Sequence, residues 1–340
     1  MSEMRLSTFS ILDHYPAGTV SVGERLRRSL EFCELADELG YEACWVGEHH
    51  FGNFGVMPNP AVWLAAAAQR TRRIRLGPAV SVLPFRHPLQ VVEDYAIVDQ
   101  LSGGRLNLGV GSGTVPFEFN GFGIDVAEKR RRFDESLGVI REALRGRGVR
   151  FEGKHVRADG VGCNVPGAQD EGPPLYVATN RADAAHRVGT QGDCLLTLVA
   201  PDSEGPEVIR DRLRAHRDGL AEAKIDPDGI DRAVAIMAHV AETDEQARKT
   251  TRPALVRFLE THGDLPAEKA ERLFEQACER QSVLFGSPET FSTGVRRLAS
   301  AGAGHLVLWM DFGDLPRASV ERSLRLAGET VGNVVEIVST

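Results

Sequence analysis

The sequence has few of the features that mark secreted, membrane-spanning or zinc-knuckle proteins. Its five cysteines are an odd number, widely spaced and without a C-x-x-C pair, so neither a disulfide framework nor a metal site built on cysteine is predicted. No apolar run approaches the roughly 20 residues that a bilayer-spanning helix needs, and the N-terminal stretch lacks the pattern of a secretion signal. We therefore expect a soluble cytoplasmic protein with reduced thiols and no membrane contact.

Positive charge is also scarce. Forty lysines and arginines stand against 48 aspartates and glutamates, which gives a formal net charge of −8. Proteins that bind nucleic acids usually carry a basic patch that pairs with phosphates, and Arg130-Arg131-Arg132 is too short to form one. No nucleic-acid partner is therefore expected.

Strand-like and helix-like segments alternate along the chain, which is typical of parallel βα units. Eight strands are predicted, at residues 6–12, 43–46, 74–83, 106–110, 175–178, 194–199, 233–240 and 305–309, the third of them interrupted by Gly77-Pro78. A helical pattern follows each of them, as in a (β/α)8 TIM barrel formed by a single domain over residues 1–340. Two insertions are expected: a surface segment at 146–174 with a hairpin near 149–156, and a weakly helical, mobile lid at 262–285.

Three ionisable residues, Glu48, His49 and His50, directly follow the predicted second strand. Parallel barrels hold their active sites at this end of the strands. Because neighbouring side chains on an extended segment point to opposite faces, we expect one histidine to face a site and the other to brace it. Plain loop hydrogen bonds are the structural alternative. A metal-dependent hydrolase is disfavoured, because adjacent histidines do not share a face as H-x-H does, and no metal site is predicted.

A glycine cluster, Gly109, Gly111 and Gly113, surrounds Ser112 at the end of the predicted fourth strand. The spacing is G-x-G-x-G and Pro116 follows, so the dinucleotide-binding fingerprint is absent. Two interpretations stay open. Either a ligand lies against this bare backbone, or the glycines ease packing at the barrel mouth.

Arg130, at the start of the predicted fourth helix, is a candidate ligand for a phosphate monoester. Further donors follow the fifth strand in Thr179, Asn180 and Arg181. A basic residue in a first helical turn works against the helix dipole unless it serves an anion. A solvated run of charges is the alternative.

Taken together, the motifs resemble those of the luciferase-like flavin monooxygenases, the family of bacterial luciferase and its single-chain relatives. The resemblance is carried by Gly40-Tyr41, Glu48-His49-His50-Phe51, Asn59-Pro60, Leu83-Pro84, His87-Pro88, Glu93-Asp94, Asp99-Gln100, the stretch 101–105, Gly109-Val110-Gly111, Phe122-Gly123 and, near the C-terminus, the stretch 312–316. It is dense over residues 40–145 and returns at 307–324.

The resemblance implies a barrel that binds reduced FMN at its C-terminal mouth, with the flavin supplied by a separate reductase. Reduced flavin then captures O2 at C4a, and the hydroperoxide oxygenates a small apolar substrate such as an aldehyde. By position, His49 is the candidate base, with Glu48, His50 and His87 in support. Imidazole suits proton transfer because it titrates near neutral pH. Relatives are commonly dimers, so a homodimer is expected.

The resemblance also assigns residues to the cofactor. Ala79-Val80 falls where this family often has a non-prolyl cis peptide beside the flavin ring, and Arg130 matches the phosphate-binding arginine. After strand five the family often has serine or threonine, where this chain has Thr179-Asn180-Arg181. Gly111 replaces the active-site cysteine of luciferase, so light emission is not inherited.

Two alternatives fit the same barrel: hydride transfer by the deazaflavin F420 without O2, and a flavin-storing protein without enzymatic activity. The double histidine favours FMN. An apolar substrate pocket is expected from Phe51, Phe117, Trp309 and Phe312, although aromatic residues near strand ends also serve as plain core.

Overall fold

The computed structural model describes residues 4–16, 18, 20–146 and 148–338, with side chains up to residue 331. The strands are β1 (Arg5–Ser10), β2 (Ala43–Val46), β3 (Arg75–Pro78), β4 (Ser81–Val82), β5 (Leu108–Gly111), β6 (Val149–Glu152), β7 (Arg157–Val161), β8 (Leu175–Ala178), β9 (Cys194–Val199), β10 (Arg232–Val240), β11 (Leu284–Gly286) and β12 (His305–Trp309). The α-helices are α1 (Val22–Glu38), α2 (Pro60–Arg70), α3 (Pro88–Ser102), α4 (Pro116–Gly121), α5 (Lys129–Leu144), α6 (Ala182–Thr190), α7 (Val208–Glu222), α8 (Asp244–His262), α9 (Ala267–Glu279), α10 (Pro288–Ser300) and α11 (Arg317–Val338).

The parallel strands form the predicted barrel. Their order is β3-β2-β1-β12-β10-β9-β8-β5-β4. The predicted third strand is divided at the cis peptide between Ala79 and Val80, where the resemblance places one. Its first half, β3, pairs with β2, and its second half, β4, pairs with β5. Because the two ends of the sheet belong to one strand of the chain, the ring of eight closes, and the fold prediction is confirmed.

Four strands, β2, β8, β9 and β12, begin and end where the sequence predicts. The first strand is shorter, because Leu12 adopts a left-handed backbone conformation with φ of 53°. Asn59 caps α2 through the amide of Ala61, with Pro60 in the first turn. No helix within the described residues has the length and apolar character that a membrane span requires.

The segment predicted as a lid at 262–285 is ordered secondary structure, so the expectation of a weakly helical connection is wrong. Its centre is α9, which buries Ala270, Phe274 and Ala277. The end of the segment is β11, which pairs in parallel with β10. A regular stripe of apolar residues on α9 is sufficient to fix it against its neighbours.

Helix α8, rather than a loop, reaches the mouth of the barrel. The side chains of Phe258 and His262 on its last turns contact Tyr15, Phe54 and Trp309, which follow or end strands β1, β2 and β12. We call α8 the roof, because its last turns pack on these residues at the C-terminal end of the strands.

The insertion at 146–174 contains the hairpin β6–β7, which extends to Val161 rather than ending near Val156. Glu135 on α5 holds its turn, because its carboxylate accepts the backbone amides of Lys154, His155 and Val156 at 3.0, 2.7 and 3.2 Å. Burial alone would raise the pKa of Glu135, but these amides and the hydrogen bond from Arg131 outweigh burial and lower the pKa to about 2.

Glu135→Ala is expected to loosen the hairpin at a cost of about 1.5–3 kcal/mol, the usual worth of hydrogen bonds to a charged group. Amide exchange at residues 154–156 should accelerate. Since the folded pKa is depressed, the stabilisation is present above the unfolded pKa and is lost as the pH falls towards 2. Glu152→Ala, at an exposed position of the same hairpin, is the control; equal exchange in both variants would contradict the assignment.

Candidate functional site

Each histidine of the pair at the exit of β2 is bound to its own glutamate. His49 Nδ1 lies 3.0 Å from Glu118 Oε1, which also accepts the backbone amide of His50 at 2.9 Å. His50 Nε2 lies 3.1 Å from Glu48 Oε1, while Glu48 Oε2 accepts from Ser81 Oγ and the Val82 amide, both at 3.3 Å. Glu48 and Glu118 are almost fully buried. The site therefore contains two separate histidine–glutamate pairs, His49 with Glu118 and His50 with Glu48.

The hydrogen bond of His49 to Glu118 assigns its tautomer. The ring nitrogen that faces a carboxylate carries the proton, so Nε2 is left as the basic nitrogen. No residue of the described chain forms a hydrogen bond with that Nε2, and the side chain is 15% exposed. This arrangement suits an imidazole that takes a proton from a bound molecule.

Glu118 is the functional residue that sequence reasoning missed. It lies on α4, a short helix in a stretch where glycine and proline predict only a loop. Two glycines let α4 approach the loop after β2: a Cβ on Gly121 would collide with the ring of Phe51, and a Cβ on Gly52 would lie 2.9 Å from the ring of Phe117. The Pro116-Phe117-Glu118 run was the available signal.

His87 forms no hydrogen bond with either pair in the part of the chain that the structure describes. It is the N-cap of α3, where its Nδ1 accepts the amide of Leu89 at 3.3 Å, and its side chain is exposed. A capping role therefore accounts for this residue.

The glycines of β5 make room for the neighbouring backbone. A Cβ on Gly109 would collide with the Pro78 carbonyl, and a Cβ on Gly111 would lie 2.5 Å from Val80 Cγ2. Gly113 adopts a φ of 76°, which favours glycine. Of the two interpretations of the cluster, the packing one accounts for these three positions.

Ala79 and Val80 belong to an apolar floor inside the barrel mouth. With Phe9, Ala178 and Leu198 they are partly exposed above the fully packed interior, where Trp45 and Tyr176 meet edge to face at 5.0 Å. The floor offers a flat ring a surface without charged groups.

A cationic cleft of about 720 Å³ lies between α5 and α6 at the same rim. It gathers four of the predicted residues: Ser112, Arg130, Thr179 and Arg181. Lys129 and Arg187 also line it, and sequence reasoning missed both. No side chain caps the N-terminus of α6, so its first amides can face an anion.

Several residues at the cleft have local partners. Arg181 and Arg187 both pair with Asp183, at 3.0 and 3.3 Å, and Lys129 Nζ donates to the Gly113 carbonyl at 3.2 Å. Arg130 is 56% exposed and donates from Nε to Asp134 at 2.8 Å. Asn180 does not line the cleft, because its Oδ1 accepts from the amide of Leu198 at 2.9 Å and from Thr197 Oγ1 at 3.1 Å. Asn180 thus fixes the end of β9.

The floor and the cleft together fit reduced FMN. An isoalloxazine is flat and largely apolar, and the floor matches it; a phosphate monoester is anionic, and the cleft supplies cations and free helix amides. The floor adjoins the Glu48–His50 pair, since Val80 belongs to the floor and Ser81 donates to Glu48.

The predicted apolar pocket is only partly right. Trp309 lies in an aromatic wall with Phe9 and Phe258, at ring distances of 5.4 and 5.2 Å. Phe51 and Phe117 are exposed on the outer rim. Phe312 is fully buried against Phe285, so it is core rather than pocket. Its position beyond β12, where the chain turns back under the roof, explains the error.

The glutamates and histidines do not converge on one point. Glu48 turns to His50 and Glu118 to His49, and within the part of the chain that the structure describes no three histidine, cysteine or acidic side chains are grouped as metal ligands.

Comparison with known proteins agrees with this geometry. Residues 4–305 match the family model of luciferase-like monooxygenases. A 4-hydroxyprotoasukamycin monooxygenase from Streptomyces nodosus subsp. asukaensis is 34% identical over 320 residues, which are 89% of this chain and 85% of that protein. The crystal structure of the monooxygenase RslO1 from Streptomyces bottropensis superposes with a TM-score of 0.89 at 28% identity, over 97% of this chain and 99% of that one.

The fold is shared more widely. The oxygenating constituent of a 3,6-diketocamphane monooxygenase from Pseudomonas putida, solved in complex with FMN, has a TM-score of 0.81 at 20% identity, over 98% of this chain and 99% of that one. Other relatives include enzymes named as flavin-dependent and as F420-dependent.

Proposed function

The chain belongs to the luciferase-like monooxygenase family, and from that premise we propose that it is the oxygenase of a two-component system. It takes reduced FMN from a separate flavin reductase and uses O2 to oxygenate a small, largely apolar organic substrate. The observation that carries the proposal is His49, bonded to buried Glu118 through Nδ1 and left basic at Nε2, at the mouth that also holds the apolar floor and the cationic cleft.

When bound, reduced FMN supplies the reactivity towards O2 that no amino-acid side chain has. The chain's own residues handle the proton. His49 accepts it at Nε2, and Glu118 keeps the ring oriented and stabilises the imidazolium. Glu48 and His50 brace the loop from behind, which keeps His49 in place. The roof limits the access of water.

Cofactor binding divides between two surfaces. Arg130, Lys129 and Arg187, with the free amides of α6, hold the phosphate, and Ala79 and Val80 support the ring. Ser112, Thr179 and Arg181 complete the rim of the cleft.

Arg130→Ala is expected to weaken FMN binding by about 1.5 kcal/mol, the low end for a hydrogen bond to a charged group because the guanidinium is largely exposed. Flavin titration measures the change. Arg214→Ala is the matched control, since Arg214 is also an exposed arginine paired with an aspartate four residues on. Equal affinities in wild type and Arg130→Ala would remove this arginine from the phosphate site.

The cofactor is tested by adding reduced FMN or reduced F420 to the purified protein with a panel of apolar aldehydes and ketones under ¹⁸O2. We expect ¹⁸O in a product only with FMN. Product formed from F420 without O2 would replace the proposal by hydride transfer, and flavin binding without any product would favour a storage protein. We also propose that the protein forms a homodimer. Light scattering by the purified protein, which gives the mass of the particle in solution, tests this.

A further inference from the structure

His262, the last residue of α8, is surrounded by aromatic side chains close to His49. Its ring centre is 5.1 Å from that of Tyr15, 5.4 Å from Phe54 and 5.3 Å from Phe258. Phe54 also touches the ring of His49, at 4.4 Å. Phe54 thus contacts both the proposed base and a second imidazole, which the roof supplies.

The imidazole of His262 has an unused polar atom. Its Nε2 is buried and finds no hydrogen-bond partner in the described residues. Buried polar atoms in folded proteins are nearly always paired, so an unpaired one needs an explanation. The aromatic faces around this ring offer it no strong acceptor or donor.

The imidazole is also uncharged. Burial, and then the proximity of His49, lower the pKa of His262 to about 4, so the ring is neutral at physiological pH. A neutral ring nitrogen can donate to or accept from an uncharged oxygen, but it does not balance an ionic group.

Three of the charged groups on this side of the mouth, Arg25, Asp13 and Asp311, are bound to one another. Arg25 donates to Asp13 at 2.8 Å and to Asp311 at 2.9 Å, and Asp13 also accepts the hydroxyl of Tyr15 at 2.6 Å. Arg257 donates to the Gly313 carbonyl at 2.9 Å. Apart from the Arg257 guanidinium, which lies 5.9 Å from the ring centre of Tyr15, the wall therefore presents apolar rings and one neutral imidazole.

We propose that His262 orients the substrate by a hydrogen bond to a single uncharged oxygen, a ketone, aldehyde or hydroxyl, on an otherwise apolar ring-bearing molecule packed along this wall. The inference rests on the proposed function, because it takes the bound molecule to be the substrate of the His49 site. The partner that Nε2 lacks is then that oxygen, delivered beside His49. His262 is a positioning residue: it acts on where the substrate sits.

The test uses two probes of almost the same shape, 1-indanone and indane, which differ in one carbonyl oxygen. Their affinities for the flavin-free protein are measured by calorimetry under anaerobic conditions. Wild type should bind 1-indanone roughly fivefold more tightly than indane, the worth of one net hydrogen bond. His262→Phe should reduce that ratio to one while keeping the affinity for indane, because the aromatic contact remains.

Two further variants separate orientation from structure. His262→Gln places an amide close to the position of Nε2 and should restore part of the preference for 1-indanone. His186→Phe makes the same change on α6, at a partly exposed histidine paired with Glu222, and should behave as wild type. An unchanged ratio in His262→Phe, or no rescue by His262→Gln in a variant with wild-type melting temperature, would overturn the proposal.

The assay needs neither flavin nor oxygen, so its outcome is separate from that of the proposed function. A clear preference for 1-indanone that depends on His262, in a protein that gives no product with reduced FMN, would support the binding inference and reject the monooxygenase. Product formation without that preference would do the reverse.

Discussion

Product formation with reduced FMN is expected to fall by about 10²- to 10⁴-fold when His49 is replaced by alanine, the usual worth of a general base. The reason is the tautomer: Glu118 binds the Nδ1 proton, so Nε2 is the nitrogen that accepts a proton from the bound molecule. The affinity for reduced FMN should change little, because the cationic cleft and the floor do not include His49. Rates of ¹⁸O-labelled product and a flavin titration measure the two effects separately.

Two further variants are needed to interpret the result for His49→Ala: one changes its hydrogen-bond partner and the other is a control. Glu118→Gln should lose part of the activity, because an amide neither fixes the tautomer nor stabilises an imidazolium as a carboxylate does. His186→Ala, at a surface histidine, should retain activity. Near-normal turnover of His49→Ala would exclude this residue as the base, and equal loss in all three variants would indicate a general effect on folding.

Local sequence predicted the barrel well because its strands are short apolar runs bounded by breakers. β2 follows Gly40, β8 follows two prolines, and β12 follows Gly304, so both type and limits are readable from neighbours in the chain. The exit of β2, where His49 and His50 lie, was predicted for the same reason.

The partners of those histidines were harder to predict. Glu48 is two residues from His50, but Glu118 is 69 residues from His49 and meets it only because α4 folds back over the loop. Gly77-Pro78 predicted an interruption of the third strand from residue type alone, but the cis peptide between Ala79 and Val80 was expected only through the resemblance. Contacts between loops that are distant in sequence and meet at the mouth of the barrel cannot be predicted from the local sequence pattern.

A Ser-His-Asp arrangement at the opposite end of the barrel was also missed, and it predicts a large effect on stability. Ser7 Oγ lies 2.7 Å from His305 Nε2, and His305 Nδ1 lies 2.6 Å from Asp231 Oδ2. The geometry is that of a hydrolytic triad, but Ser7 is fully buried and accepts the backbone amide of Ala43 at 3.0 Å. No substrate can reach it, so the network ties β1, β2, β10 and β12 together.

Asp231→Asn is therefore expected to lower the free energy of unfolding by about 3–5 kcal/mol, the cost of removing one partner from a buried ionic network. The lost carboxylate is the acceptor for Arg5 at 2.5 Å, Tyr176 at 2.8 Å and His305. Urea unfolding at neutral pH measures the change, and Asp218→Asn, at an exposed ion pair, is the control. Turnover below the melting temperature should stay close to wild type, since this network lies at the end of the barrel away from His49.

The stability that the same network provides is also expected to depend on pH. Burial alone would raise the pKa of Asp231, but the hydrogen bond and charge of His305, with Arg5 and Tyr176, outweigh burial and hold the pKa well below its usual range. A depressed folded-state pKa means that the stabilisation is complete above the unfolded pKa of about 3.9 and declines as the pH falls below it. Wild type should thus lose stability more steeply than Asp231→Asn on acidification below pH ~4. Parallel slopes for the two proteins would show that Asp231 is not ionised in the barrel, and that closure of this end rests on neutral hydrogen bonds.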